Sequence, residues 1–203
     1  MIVRRAALVI AIASAPVSSL RAQAARLQSR FDATTYAALQ VIIDAAKRSK
    51  LPTKLIEDNA LEGASSGAPG DSIILAVRHF TKQLSIASAT LGPGASPDEL
   101  RAAVSAIDAR IPAGDLKRIR RAAPKRPITT ALTVLSDIAG RGVPLPTSSD
   151  LVVSLLNHKV KDADLLEFSR WVKVDIEKGG NPSTAATARA NAFITAASAR
   201  TSR

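Results

Sequence analysis

A short motif recurs where one helix-like segment of this 203-residue chain gives way to the next. It consists of an apolar residue, Pro or Lys, two or three spacer residues, Asp or Ser, and then Ile or Leu. Proline interrupts helical hydrogen bonding, and Asp or Ser favours the start of a new helix. The sequence therefore predicts a series of short helices joined by tight breaks. The clearest copies of this break motif are residues 68–73, 111–116 and 160–165, with a longer variant at 143–151.

The first 24 residues have the layout of a secretory signal peptide. Arg4 and Arg5 supply positive charge, residues 6–15 form an uninterrupted small and apolar run, and residues 22–24 form a small-x-small cleavage site. Ten apolar residues are too few to span a bilayer as an ordinary helix. An uncleaved membrane anchor and a mitochondrial transit peptide are the alternatives. We predict cleavage after Ala24, and a periplasmic or secreted mature protein without a transmembrane span.

The composition indicates a helical core. Hydrophobic residues make up 46% of the chain, but aromatic residues only 3%. Alanine and aliphatic side chains with few rings suit closely packed helices better than a β-sandwich. We therefore predict an all-α fold of about eight or nine helices after the signal peptide. It is either an irregular helical bundle or an α-solenoid-like stack of short helix-turn-helix units, and the uneven spacing of the breaks favours the bundle because solenoids keep a fixed period.

Start and stop signals locate several helices and one domain boundary. Ser96 and Glu99 have the spacing of a capping box. Residues 71–91 carry one long apolar stripe, with Leu75 and Ile86 on the opposite side, so we expect this helix to be covered on both faces. The clearest break is the glycine pair followed by Asn-Pro-Ser at 179–183. It divides a helical domain, residues 25–180, from an alanine-rich C-terminal helix and tail, residues 181–203.

The chain is basic, and one segment concentrates the charge. There are 28 Lys and Arg against 17 Asp and Glu, a formal net charge of +11. On a helical wheel the cations after Leu116 lie opposite the apolar side chains, a geometry that suits an anionic lipid or a cell-wall polymer. A solvated helix face is the alternative. Nucleic acid is disfavoured, because no aromatic residue lies among the charges to stack on bases. The candidate binding residues, here called the basic strip, are Lys117, Arg118, Arg120, Arg121, Lys125 and Arg126.

Residues that could carry catalysis or bind a metal are few. Cysteine is absent, which excludes disulfides, thiolate metal sites and cysteine nucleophiles. His79 and His158 are isolated from each other, and the glycines match no phosphate-binding loop. Glu57, Asp58 and Glu62 share one short segment, where paired carboxylates could support acid-base chemistry.

These observations favour an exported, non-catalytic binding or scaffold module of unknown partner, with neither cofactor nor metal. The partner is expected to be a protein or an anionic component of the cell envelope. Two alternatives remain open. The first is a module that binds the envelope surface through the basic strip, and the second is an envelope hydrolase that uses Glu62 or a neighbouring carboxylate.

Overall fold

The computed structural model describes residues 27–201, and that part of the chain is all-helical. The predicted fold class is confirmed, whereas the predicted signal peptide lies outside the described residues. None of the described helices is both long and apolar enough to cross a membrane. In chain order the helices are α1 (Ala33–Arg48), α2 (Thr53–Ser65), α3 (Gly70–Leu91), α4 (Pro97–Asp108), α5 (Ala113–Ala122), α6 (Thr129–Gly140), α7 (Leu145–Asn157), α8 (Asp162–Glu177) and α9 (Pro182–Thr201).

The break motif corresponds to one backbone geometry, the Schellman end of a helix. Just before the motif, Arg110 and Lys159 adopt left-handed conformations with φ of 64° and 57°. The next residue then bonds back to a carbonyl five positions earlier, as from Ile111 N–H to Ala106 at 3.0 Å. Glycine serves the same purpose at Gly142, with φ of 90°. The apolar residue of the motif is therefore the one that closes the preceding helix.

The helix-start signals differ in how they work. Ser96 and Glu99 form the predicted capping box, with Glu99 N–H donating to Ser96 Oγ at 3.2 Å and Ser96 N–H donating to Glu99 Oε2 at 2.8 Å. In the break motif, by contrast, Pro112 occupies the cap position and Asp115 lies within the first turn. There the negative charge of Asp115 stabilises the positive end of the helix dipole.

The helices form a stack of two rows rather than a closed bundle. The odd-numbered helices from α1 to α9 pack side by side in one row, while α4, α6 and α8 form a second row against it. Within the described chain, helices more than two positions apart make no extensive contact. Contact limited to near neighbours is the property that defines solenoid-like stacks. The uneven breaks reflect unequal helices, from the 10 residues of α5 to the 22 of α3.

The C-terminal helix α9 is packed on the stack. It contacts α7 and α8, and the ring of Phe193 meets that of Phe168 edge-on at a centroid distance of 6.4 Å. Phe168 is fully buried. Arg189 of α9 also forms a two-point ion pair with Asp175 of α8, at 2.6 and 2.7 Å. The break at residues 179–183 is thus a helix end followed by a docked helix.

The long helix α3 is covered on only one of its two apolar faces. Its main stripe is buried, with Val77 and Leu84 fully enclosed. On the other side Leu75 remains 66% exposed and Ile86 37% exposed. The prediction that both faces are covered was wrong, because the side chains of Leu75 and Ile86 remain open to solvent.

Candidate functional site

Half of the basic strip is used to connect helices. Arg118 of α5 donates to Asp150 of α7 at 2.6 Å and to Asp115 at 3.1 Å. Arg126 pairs with Asp162 and donates to the Val160 carbonyl at 2.9 Å. These arginines are therefore held by carboxylates from the next part of the stack, and little of their charge is left for a ligand.

Arg120 belongs to a half-buried cluster at the junction of α4, α5 and α6. Its guanidinium lies 2.5 Å from Glu99 Oε1, and the same oxygen accepts a hydrogen bond from Ile128 N–H at 2.9 Å. Burial raises the pKa of the Glu99 carboxyl. The hydrogen bonds from Ser96, Ile128 and Arg120 outweigh that effect, so the pKa lies below its ordinary value. This is the geometry of a structural charge pair that requires an ionised carboxylate.

The remaining cations of the strip are Lys117, Arg121 and Lys125. All three are exposed, and none has a carboxylate partner within residues 27–201. The six predicted binding residues thus do not form one uniform basic face. Their role in binding stays a prediction, and it now rests on these three side chains.

The candidate catalytic carboxylates are not brought together. Glu62 is exposed and lines none of the larger cavities, while Asp58 pairs with Lys54 at 2.9 Å and with Arg101 at 3.5 Å. Glu57 is only 9% exposed, and its burial raises the pKa of its carboxyl above the ordinary value. Glu62 therefore lies on a solvated surface, and the nearby open cavity of about 400 Å³ is lined by Leu61 and Ser65 and not by Glu62.

The two histidines have separate local partners. His79 Nε2 lies 2.8 Å from Asp108 Oδ1, and His158 Nδ1 lies 2.8 Å from the Ser154 carbonyl oxygen. Across residues 27–201, no three metal-ligating side chains converge on one point. Each histidine therefore has its own partner, and the two share none of these contacts.

A feature that sequence reasoning missed is an open groove between α1 and α3, on the outside of the odd-numbered row. Its volume is about 580 Å³, and its lining includes Val41 of α1 and Ile86 of α3. Val41 is 68% exposed, the highest value among the large hydrophobic residues of the described chain. The second apolar face of α3 was a signal for this groove, but nothing local indicated that Val41 would lie beside it.

The groove continues into a second open cavity of about 620 Å³ at the ends of α1 and α3. The two share Ser49, Leu51 and Ser85 in their linings. Arg78 and Lys82 lie along the first cavity and Lys50 along the second, whereas neither lining contains an Asp or a Glu from the described chain. The combined groove is thus aliphatic and positively charged.

Together, these helices define the class of structure as an all-α helical stack with an exposed groove on one side. No family model matches the chain, and comparisons with curated proteins and with solved structures find no match.

Proposed function

We propose that this protein is an exported, non-catalytic helical scaffold that binds a partner through the outer face of its odd-numbered row. The observation that carries this proposal is the groove between α1 and α3, whose lining includes the exposed side chains of Val41 and Ile86. Exposed aliphatic groups that cluster in a concave site, instead of being scattered singly, are typical of interaction surfaces.

Two further features support the proposal. A two-row stack presents a long, continuous side, and this is the property that repeat proteins use to bind partners. The N-terminal sequence, with its basic start, apolar run and small-x-small site, favours export to the periplasm or the exterior. The partner is then a component of the cell envelope.

A second candidate function uses the basic strip. Its free cations, Lys117, Arg121 and Lys125, are exposed on and just after α5. They could hold the protein on anionic lipid or cell-wall polymer through screened, salt-dependent attraction. This candidate needs only surface charge, whereas the leading one requires the shape of the groove.

Site-specific photo-crosslinking in the source cells tests the two candidates. A photoreactive residue is placed at Val41 in the groove, at Lys117 in the strip, or at Leu166, an exposed position on α8. We expect a discrete adduct from Val41 and none from Leu166. An adduct confined to Lys117 would favour the second candidate, and no adduct at any of the three would contradict a binding function.

A further inference from the structure

We propose that the groove between α1 and α3 receives an acidic amphipathic helix of a partner protein. This inference rests on the proposed binding function and adds the chemistry of the partner. The floor of the groove is formed by small and aliphatic side chains that leave room between two helices. An apolar helix face laid into such a groove is a recurrent mode of peptide recognition. The floor residues are Val41, Ile42, Ala45, Ala46, Leu51 and Ile86.

The charges beside the floor specify an acidic partner. Arg78 and Lys82 line the groove one helical turn apart, and neither has an ion-pair partner within residues 27–201. Elsewhere in the molecule, arginines such as Arg118 and Arg189 are held by carboxylates. A partner that places Glu or Asp beside its apolar stripe would supply the missing charges, and such complementarity sets both specificity and association rate.

The length of the groove suits a helix of about four turns. At 1.5 Å per residue, α3 rises about 20 Å between Arg78 and its end at Leu91. A partner helix lying alongside would contribute about 13 residues. Three or four apolar anchors at spacings of three and four residues would fill that distance.

Two other occupants fit the charges less well. Residues 1–26 of this chain contain Arg4, Arg5, Arg21 and Arg26 and no acidic residue, so the groove cations would repel them. A second copy related by two-fold symmetry would bring Arg78 and Lys82 toward the same residues of its partner. Like charges in a shared interface are unfavourable.

The test uses fluorescence anisotropy with a synthetic 16-residue peptide. The labelled peptide carries four leucines at 4-3-4 spacing, with glutamates flanking that stripe. Two control peptides have the same leucines flanked by lysines, or the same composition with the leucine positions scrambled. We expect both controls to bind at least about tenfold more weakly, because each lacks one of the two complementary features.

Matched variants of the protein locate the binding. Val41→Asp and Lys82→Glu should each weaken binding of the acidic peptide by about tenfold or more. Their controls are Leu166→Asp, which alters an exposed leucine of α8 outside the groove lining, and Lys117→Glu on α5. Both controls should stay within about twofold of the wild type, since neither contacts the groove. Circular dichroism would verify that all four variants are folded.

Several results would overturn the inference. These are no binding of the acidic peptide, equal binding of the lysine peptide, or equal effects of Val41→Asp and Leu166→Asp. Two further contrary results are Val41-dependent retention on phosphatidylglycerol vesicles without peptide binding, and Val41-dependent self-association. If the peptide fails while Val41 still gives a cellular adduct, the binding function of the groove stands and only this partner chemistry falls. Failure of both measurements would remove both proposals.

Discussion

The Glu99 carboxylate lies 2.5 Å from the Arg120 guanidinium, and this contact ties the start of α4 to the end of α5. Glu99 also completes the capping box with Ser96 and accepts the backbone N–H of Ile128. One carboxylate therefore satisfies polar groups from three successive parts of the stack.

Removing this carboxylate should destabilise the protein strongly. Glu99→Ala leaves Arg120 without its ion pair and Ile128 N–H without an acceptor, and breaking a buried charge pair costs about 3–5 kcal/mol. Urea denaturation would measure the loss in free energy of unfolding. Glu62→Ala removes an exposed glutamate and is the control, with an expected change within about 0.5 kcal/mol. Similar effects from the two substitutions would contradict the structural role of Glu99.

The stability of the protein should decline in acid. The pKa of the Asp137 carboxyl is raised by burial but lowered further by hydrogen bonds from Arg141 and Ser169, and the pKa of Glu99 is likewise lowered. Such groups stabilise the fold fully above their unfolded pKa values, about 3.9 for Asp and 4.3 for Glu. The stabilisation is lost as the pH falls through the lower pKa values that these carboxyl groups have in the folded protein. Urea midpoints measured from pH 7 to pH 3 should therefore fall, and less steeply in Glu99→Gln.

Glu57 should show the opposite dependence of stability on pH, because its pKa is raised and not lowered. Because burial raises its folded pKa, the ionised carboxylate at neutral pH weakens the folded state. Glu57→Gln should raise the free energy of unfolding at pH 7, and this gain should vanish below the ordinary pKa of about 4.3. A variant that is destabilised at pH 7 would show that Glu57 makes a contact requiring its charge.

Two glycine substitutions should have opposite effects on stability. A Cβ at Gly70 would lie 2.2 Å from Thr35 Oγ1, the hydroxyl that donates to Asp32 at the start of α1. Gly70→Ala should therefore lower the free energy of unfolding by about 1–3 kcal/mol, the usual cost of overpacking. Gly114→Ala meets no atom within 4 Å in the first turn of α5, so it should stabilise by about 0.4–1 kcal/mol by restricting the unfolded chain. Thermal unfolding of both variants would test this, and equal melting temperatures would refute it.

Export predicts a processed N-terminus. Mass spectrometry of the protein isolated from the periplasmic or extracellular fraction should find a chain that begins at Ala25. The cytoplasmic fraction of the same cells is the control. Recovery of a chain with Met1 intact from the cell interior would refute the signal-peptide interpretation.

The positions of the helices could be predicted from sequence, because helix starts and ends depend on residues a few positions apart. The capping box of Ser96 and Glu99 spans three residues, and the Schellman end that Ile111 completes spans five. The all-α class follows from the same local signals and from the scarcity of aromatic residues. Neither conclusion requires knowledge of which helices lie side by side.

The sequence by itself determined that the described chain is a series of helices separated by break motifs. Only the tertiary structure decided that Arg118 is held by Asp150, 32 residues away, while Lys117 beside it has no carboxylate partner within residues 27–201. Only stacking placed Val41 and Ile86 on one exposed groove. The physical reason is that a helical wheel, drawn from the sequence of one helix, shows only which of its residues share a face. Whether that face is buried, paired or left open depends on a neighbour from a distant part of the chain.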